Sequence, residues 1–257
     1  MLIAAALLAA TLQSQQVTDS TRDLPASPGT LAPDRPGFTT GPSVMPRGFS
    51  ELEAGTSLQR QPGFQHLAIG ESLLRIGLSS RAELRVGFSS LDFDRAGGTV
   101  THGFEDASIG TKVRLRSAPA GVSLLPAVSM IASSNIPTGG AFGRSGVEPQ
   151  LTASLGWQLP AKLALVTNTG VASRVAGDGA RTREFGGGAS LSRALTGTLN
   201  TYVEYSGTRR NGPDSQYLNT GLTFVPAAHL QLDTWVARAI SGTPSSFQLG
   251  VGVSRRW

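Results

Sequence analysis

FQLGVGVSRRW, residues Phe247–Trp257, decides the fold. Phe247, Leu249, Val251 and Val253 alternate with Gln248, Gly250, Gly252 and Ser254, and the run closes on an aromatic, Trp257. A strand turns successive side chains to opposite faces, so this stretch is a ribbon with one apolar face and one small or polar face. Arg255 interrupts the apolar row two residues before its end. The alternative is an edge strand of a soluble sheet, but soluble proteins blunt flat apolar edges because they aggregate.

Working back from this stretch, the two-residue period recurs. Ala82, Leu84, Val86 and Phe88 oppose Arg81, Glu83, Arg85 and Gly87, and Ala107, Ile109, Thr111, Val113 and Leu115 oppose Ser108, Gly110, Lys112 and Arg114. Val147 to Leu159 alternates in the same way, whereas Leu67 to Leu78 is less regular. Counted through, the pattern gives about twelve strands, an even number as single-chain bacterial barrels require. Short connections at Ser79-Ser80, Ala118-Pro119-Ala120, Pro160-Ala161 and Ala194-Leu195-Thr196 alternate with longer ones at Arg95–Gly103, Asn135–Gly146, Gly177–Thr182 and Arg209–Asp214. Pro126 and Pro149 fall within predicted strands, where a missing N–H suits only a bulge or a strand end.

Composition narrows the environment. Charged residues make up 15% of the 257, against roughly 25% in soluble domains. There are 32 glycines and no cysteine, which excludes disulfides, thiolate metal sites and thiol nucleophiles. No apolar run is long enough for a membrane-crossing helix, and a sheet in lipid must close so that every backbone group is paired. The expected fold is therefore all-β: a transmembrane antiparallel up-and-down β-barrel over residues 48–257, with short periplasmic turns and longer outer loops. Residues 1–16 hold the apolar run Leu2 to Ala10 of a signal peptide, without a basic residue between Met1 and the run. Residues 17–47 carry Pro25, Pro28, Pro33, Pro36, Pro42 and Pro46, and so form an extended periplasmic or plug segment rather than a ladder. The net charge of +5 is scattered, with no basic patch interleaved with aromatics, so no nucleic-acid partner is expected.

In such a barrel the polar face lines the lumen. That face carries Glu51, Glu53, Arg75, Arg81, Glu83, Arg85, Asp106, Lys112, Arg114 and Glu148; the later strands offer mostly uncharged polar residues, with Glu184, Glu204 and Asp233 as exceptions. Two readings stay open: a polar pathway guiding a small-molecule solute, or an ion-pair network that fills and stiffens the interior. The terminal strand resembles the closing strand of bacterial outer-membrane barrels. In that likeness Phe247, Leu249, Val251, Val253 and Trp257 are the assembly signal met by the barrel-assembly machinery, with the aromatic at the edge of the outer-membrane lipid. No enzymatic activity is expected. A lipid-modifying barrel would need a serine nucleophile beside a histidine base, and the only histidines are His66, His102 and His229, the second in a predicted loop and the third in a turn. Three dispersed histidines make no metal site. Gly97-Gly98 and Gly186-Gly187-Gly188 lack the strand–helix setting of a phosphate loop, so no cofactor is expected.

Four stretches carry a family likeness: APDRPGFTTGPSVMPRGFSELEAGTS (Ala32 to Ser57), LLRIGLSSRAELRVGF (Leu73 to Phe88), EDASIGTKVRL (Glu105 to Leu115) and SSNIPTGG (Ser133 to Gly140). Their most specific parts are Asp34-Arg35-Pro36, the spacing Arg75…Arg81-x-Glu83-x-Arg85, and Pro137-Thr138-Gly139. Together they resemble the outer-membrane proteins grouped as the phenol meta-pathway, transporter-like family. The resemblance runs from the proline-rich segment to Trp257. It implies a porin-like outer-membrane barrel that moves small compounds, aromatic or hydrophobic ones among them.

Overall fold

A computed structural model describes residues 31–118, 121–210, 214–242 and 246–257. The expected signal peptide, and the expected extended segment up to residue 30, lie outside the described residues. Among those described, the chain forms fourteen β segments and no helix. These are β1 (Ser50–Gln61), β2 (Phe64–Gly77), β3 (Ala82–Phe88), β4 (Leu91–Ala96), β5 (Thr99–Phe104), β6 (Ala107–Arg116) and β7 (Ala127–Ile136). They continue as β8 (Gln150–Leu159), β9 (Leu163–Val175), β10 (Arg181–Ala194), β11 (Leu199–Arg209), β12 (Ser215–Ala227), β13 (Leu230–Ser241) and β14 (Phe247–Arg256).

All pairings are antiparallel. β14 pairs with β1 from Glu51↔Arg256 to Arg60↔Phe247, and β1 pairs onward with β2, so the sheet closes. Closure is completed at the rim of the short turns, where the backbones of Ser50 and Trp257 exchange hydrogen bonds of 2.9 and 3.2 Å. One long strand, β2, pairs with β3 along its C-terminal half and with β4 along its N-terminal half. β3 and β4 are thus one barrel strand broken at Ser89-Ser90, and β5 and β6 are the next, broken at Glu105-Asp106. The molecule is a twelve-stranded closed antiparallel barrel.

Several local features depart from the sequence expectation. Arg95–Gly103 is not a long loop. β4 and β5 form a hairpin turning at Gly97-Gly98, where φ is +54° and +87°, a left-handed backbone that glycine adopts freely. His102 consequently lies in β5, stacked on Phe93 at 5.9 Å. The irregular pattern of Leu67–Leu78 has a cause: Gly70, at φ +79°, sits at a bulge that shifts the register against β1 between Gly55 and Thr56. Pro126 and Pro149 each stand one residue before a strand, β7 and β8, so neither removes a ladder bond; β8 accordingly starts at Gln150 rather than Val147.

The burial pattern is that of a barrel in lipid. Ile109, Leu151, Phe185, Val203, Leu222 and Val251 are exposed on the outer face, while Glu51, Glu83, Lys112, Ser129 and Ser154 have no accessible surface at all. Phe247, Leu249, Val251, Val253 and Trp257 all point outward, and the Arg255 guanidinium lies 5.4 Å from the centre of the Trp257 ring. That stacking lets Arg255 stay on the outer face near the rim, with its charge at the aqueous boundary.

Candidate functional site

The interior is occupied by the chain's own proline-rich segment. Residues 31–49 run without regular structure inside the barrel, held by side chains from nearly every part of the wall. The backbone N–H groups of Asp34 and Arg35 donate to the two oxygens of Glu53, at 3.0 and 2.9 Å. Those of Phe38 and Thr39 donate to Glu204 Oε1 at 2.8 and 3.0 Å, and that of Met45 donates to Glu83 Oε2 at 2.5 Å. Thr40 makes a two-way pair with the Asn168 amide, whose oxygen accepts from Thr40 N at 2.7 Å and whose nitrogen donates to Thr40 O at 2.9 Å. A proline-rich strand cannot ladder with a sheet, so these wall side chains supply the missing partners.

Glycines on the wall make room for it. A Cβ on Gly55 or Gly252 would overlap the Arg35 guanidinium, one on Gly77 the carbonyl of Pro46, and one on Gly156 the ring of Pro42.

Charge ties the segment down. Arg75 is the hub: its Nε and Nη2 fork onto Glu83 at 3.0 and 2.9 Å, and its Nη1 meets Glu51 at 3.1 Å and Glu53 at 3.3 Å. The same guanidinium donates to the Ala32 and Ser43 carbonyls at 3.0 and 3.3 Å. Asp34 reaches from the segment to Lys112 at 3.0 Å and to Arg85 at 2.5 Å, and Arg35 reaches Asp233 at 3.4 Å. Glu51 is also gripped by Arg256 at 3.0 Å. The five cations of this network therefore face five carboxylates, and charge-assisted bonds compensate the desolvation that burial imposes on each.

Of the ten expected lumen residues, Glu51, Glu53, Arg75, Glu83, Arg85 and Lys112 are brought together here. The other four are elsewhere on the same face. Arg114 donates to the Ser80 carbonyl and Arg81 stands exposed one residue before β3, both at the rim of the short turns. Asp106 and Glu148 stand at the opposite mouth. Asp106 holds the β7–β8 connection, accepting from Thr138 N at 2.9 Å, Arg144 N at 2.8 Å and Asn135 Nδ2 at 2.6 Å. Burial would raise its pKa, but these donors outweigh that and keep the carboxyl below its ordinary value. Glu148 accepts from Val175 N at 2.8 Å and pairs with Arg174 at 3.3 Å, and Arg174 also pairs with Glu184 at 2.8 Å.

Two cavities lie between the segment and the outer mouth. The first, about 340 Å³, rests on Phe38 and Thr39 and is walled by Tyr217, Asn168 and the hollow left by Gly186-Gly187-Gly188. Phe38 stands edge-on to Trp235, 5.7 Å between ring centres, and 6.1 Å from Tyr217. The second, about 400 Å³, is more polar, and both are lined by Gln150 and Arg174. The aromatic trio was not singled out from sequence, although Tyr217 and Trp235 fall on the polar parity of their strands, between outward Leu218 and Val236.

The histidines do not form a hydrolytic pair. His66 bonds Asp94 at 2.7 Å, and among the described residues no histidine shares a hydrogen bond with a serine hydroxyl. No group of three or more metal-ligating side chains occurs among the described residues.

The family profile described as "Putative MetA-pathway of phenol degradation" matches residues 33–257, which begins inside the lumenal segment and covers the whole barrel. The chain belongs to that family. This phenol-degradation family member is an outer-membrane β-barrel of porin-like fold. It is similar to the NanC porin, with a TM-score of 0.55 and 7% identity over 79% of this chain and 98% of that one. It is also similar to the KdgM porin in complex with disordered oligogalacturonate, with a TM-score of 0.51 and 10% identity over the same shares. At such identities the likeness concerns the fold. A comparison with curated protein sequences gave no match.

Proposed function

We propose that this protein is an outer-membrane channel for small aromatic solutes, held shut at rest by its own lumenal segment. The observation that carries the reading is the first cavity. A largely polar and glycine-rich wall presents two aromatic rings there, Phe38 and Tyr217, to a space of about 340 Å³ on the outer side of the segment, with Trp235 packed edge-on against Phe38. Small-molecule sites are concave, with aromatic walls and a few orienting polar groups; Asn168 and the Arg174–Glu184 pair supply those here. The charged network below closes the periplasmic half, so passage requires the segment to withdraw. The outward terminal strand fits the role of assembly signal, and no chemistry is assigned to the barrel.

A second reading, a stiffened barrel with a permanently filled lumen, is favoured by the completeness of the ion pairing around Arg75. A fluorescence titration separates the two. Phenol or benzoate added to the folded protein in detergent should quench Trp235 saturably, and the quench should vanish in Trp235→Phe. Absence of saturation in the wild-type protein would remove the solute site and leave the filled barrel.

A further inference from the structure

We propose a lateral exit from the lumen to the lipid, between β5 and the β7–β8 connection, for apolar solutes bound in the aromatic cavity. This rests on the solute-channel reading above.

The wall is interrupted at this place. Low in the barrel β6 ladders with β7, up to Ala107↔Ile136. Above that level β5 replaces β6, and among the described residues β5 has a ladder partner on one side only, β4. Its free edge faces the connection between β7 and β8. The closure there is not a ladder: Phe142 N donates to Phe104 O at 3.3 Å, Thr138 Oγ1 donates to Glu105 O at 3.2 Å, and the remaining hold is the Asp106 carboxylate, which accepts from Thr138 N and Arg144 N. The breaks at Ser89-Ser90 and Glu105-Asp106 lie side by side, bridged by one bond from Glu105 N to Ser90 O at 3.2 Å. Elsewhere a continuous ladder separates the two faces. Here the lumenal cavity that Glu71 and Ser108 line reaches the two strand breaks, at Phe88, Ser90, Glu105 and Ala107.

The surroundings suit an apolar traveller. Phe88, Phe104, Ile109 and Ile136 are about half exposed on the outer face around the gap. Inside, this cavity and the aromatic one share Gln150 and Arg174 as lining, so a path from Phe38 and Tyr217 to the gap runs past the Arg174 ion pairs. Straight down, the same solute would have to pass the buried charges around Arg75. An apolar molecule in the lumen therefore has a lower barrier sideways, into lipid, than downward through a packed network of paired charges whose bonds it would have to break.

The chain has no cysteine, which allows a clean test. A Cβ on Gly103 would come within 2.6 Å of the Cβ of Ala141, so a Gly103→Cys/Ala141→Cys pair can bridge β5 to the connection after a small outward adjustment. Full-length protein carrying the pair is placed in vesicles with a lipopolysaccharide outer leaflet. Transfer of 1-N-phenylnaphthylamine into the bilayer is followed by its fluorescence, and Trp235 quenching by phenol is measured in the same samples. Oxidation should cut probe transfer at least tenfold, leave the Trp235 quench intact, and be reversed by dithiothreitol. Equal transfer by the oxidised and reduced forms, or no transfer by the reduced form, would overturn the exit. Loss of the quench in every sample would instead strike the solute site.

Discussion

At the scale of single residues, Arg75 carries the most. It has about 1% of its side chain exposed and touches Glu51 and Glu53 on one neighbouring strand and Glu83 on the other, as well as two carbonyls of the lumenal segment. A planar fork with five donors can satisfy that many acceptors at once, and a lysine cannot. Arg75→Leu would leave three carboxylates buried with fewer cations, and removing one partner of such a network costs about 3–5 kcal/mol. Guanidinium unfolding of the folded barrel in detergent should show a loss of that order, with Arg75→Lys intermediate. Wild-type stability for Arg75→Leu would mean that the network is solvated rather than dry. The alternation of Arg75, Glu83, Arg85 and Lys112 with apolar neighbours was enough to place these side chains inside. What sequence did not disclose was their partner: nothing in the spacing of Asp34-Arg35-Pro36 says that it bonds strands far along the chain, because a proline-rich stretch has no period to register.

Single elements show where periodicity speaks and where it fails. The terminal strand, β3 and β6 alternate cleanly and form as expected, and β8 does so from Gln150 on, since each has one face in lipid and one in the lumen. The β4–β5 hairpin is hidden because its strands are only six residues each and the outer row Leu91, Phe93, Val100 and Phe104 is interrupted by Arg95 and His102 around the short Gly97-Gly98 turn. Asp106 makes more side-chain bonds to the β7–β8 connection than Asn135, which holds Gly146 and Glu148, and its pKa is lowered by the N–H groups it accepts from. A lowered folded pKa means that this hold is complete above the ordinary aspartate value, about 4, and is lost as pH falls through the lower folded value. A spin label on Ala141→Cys should thus stay immobile from neutral pH down to about 4 and become mobile only below it. In Asp106→Asn the label should be mobile at every pH; a label insensitive to both changes would show that the connection is held by something else.

For the whole molecule, a greasy outer wall and a charged inner one were visible in the sequence, and closure followed from the need to pair every strand edge in lipid. The proline-rich segment reads equally as a lead-in or a plug from its sequence, and the wall glycines are the physical reason it fits the lumen. Gly77 is the sharpest test, since it faces the Pro46 carbonyl with no room for a Cβ, while valine is at home in a strand. Gly77→Val should therefore push the segment away and leave the barrel standing. Planar-bilayer conductance of folded wild-type and Gly77→Val protein measures this directly. The account predicts a nearly silent wild-type and long-lived steps of several-fold larger conductance in the variant. Wild-type steps as large as those of the variant would contradict it.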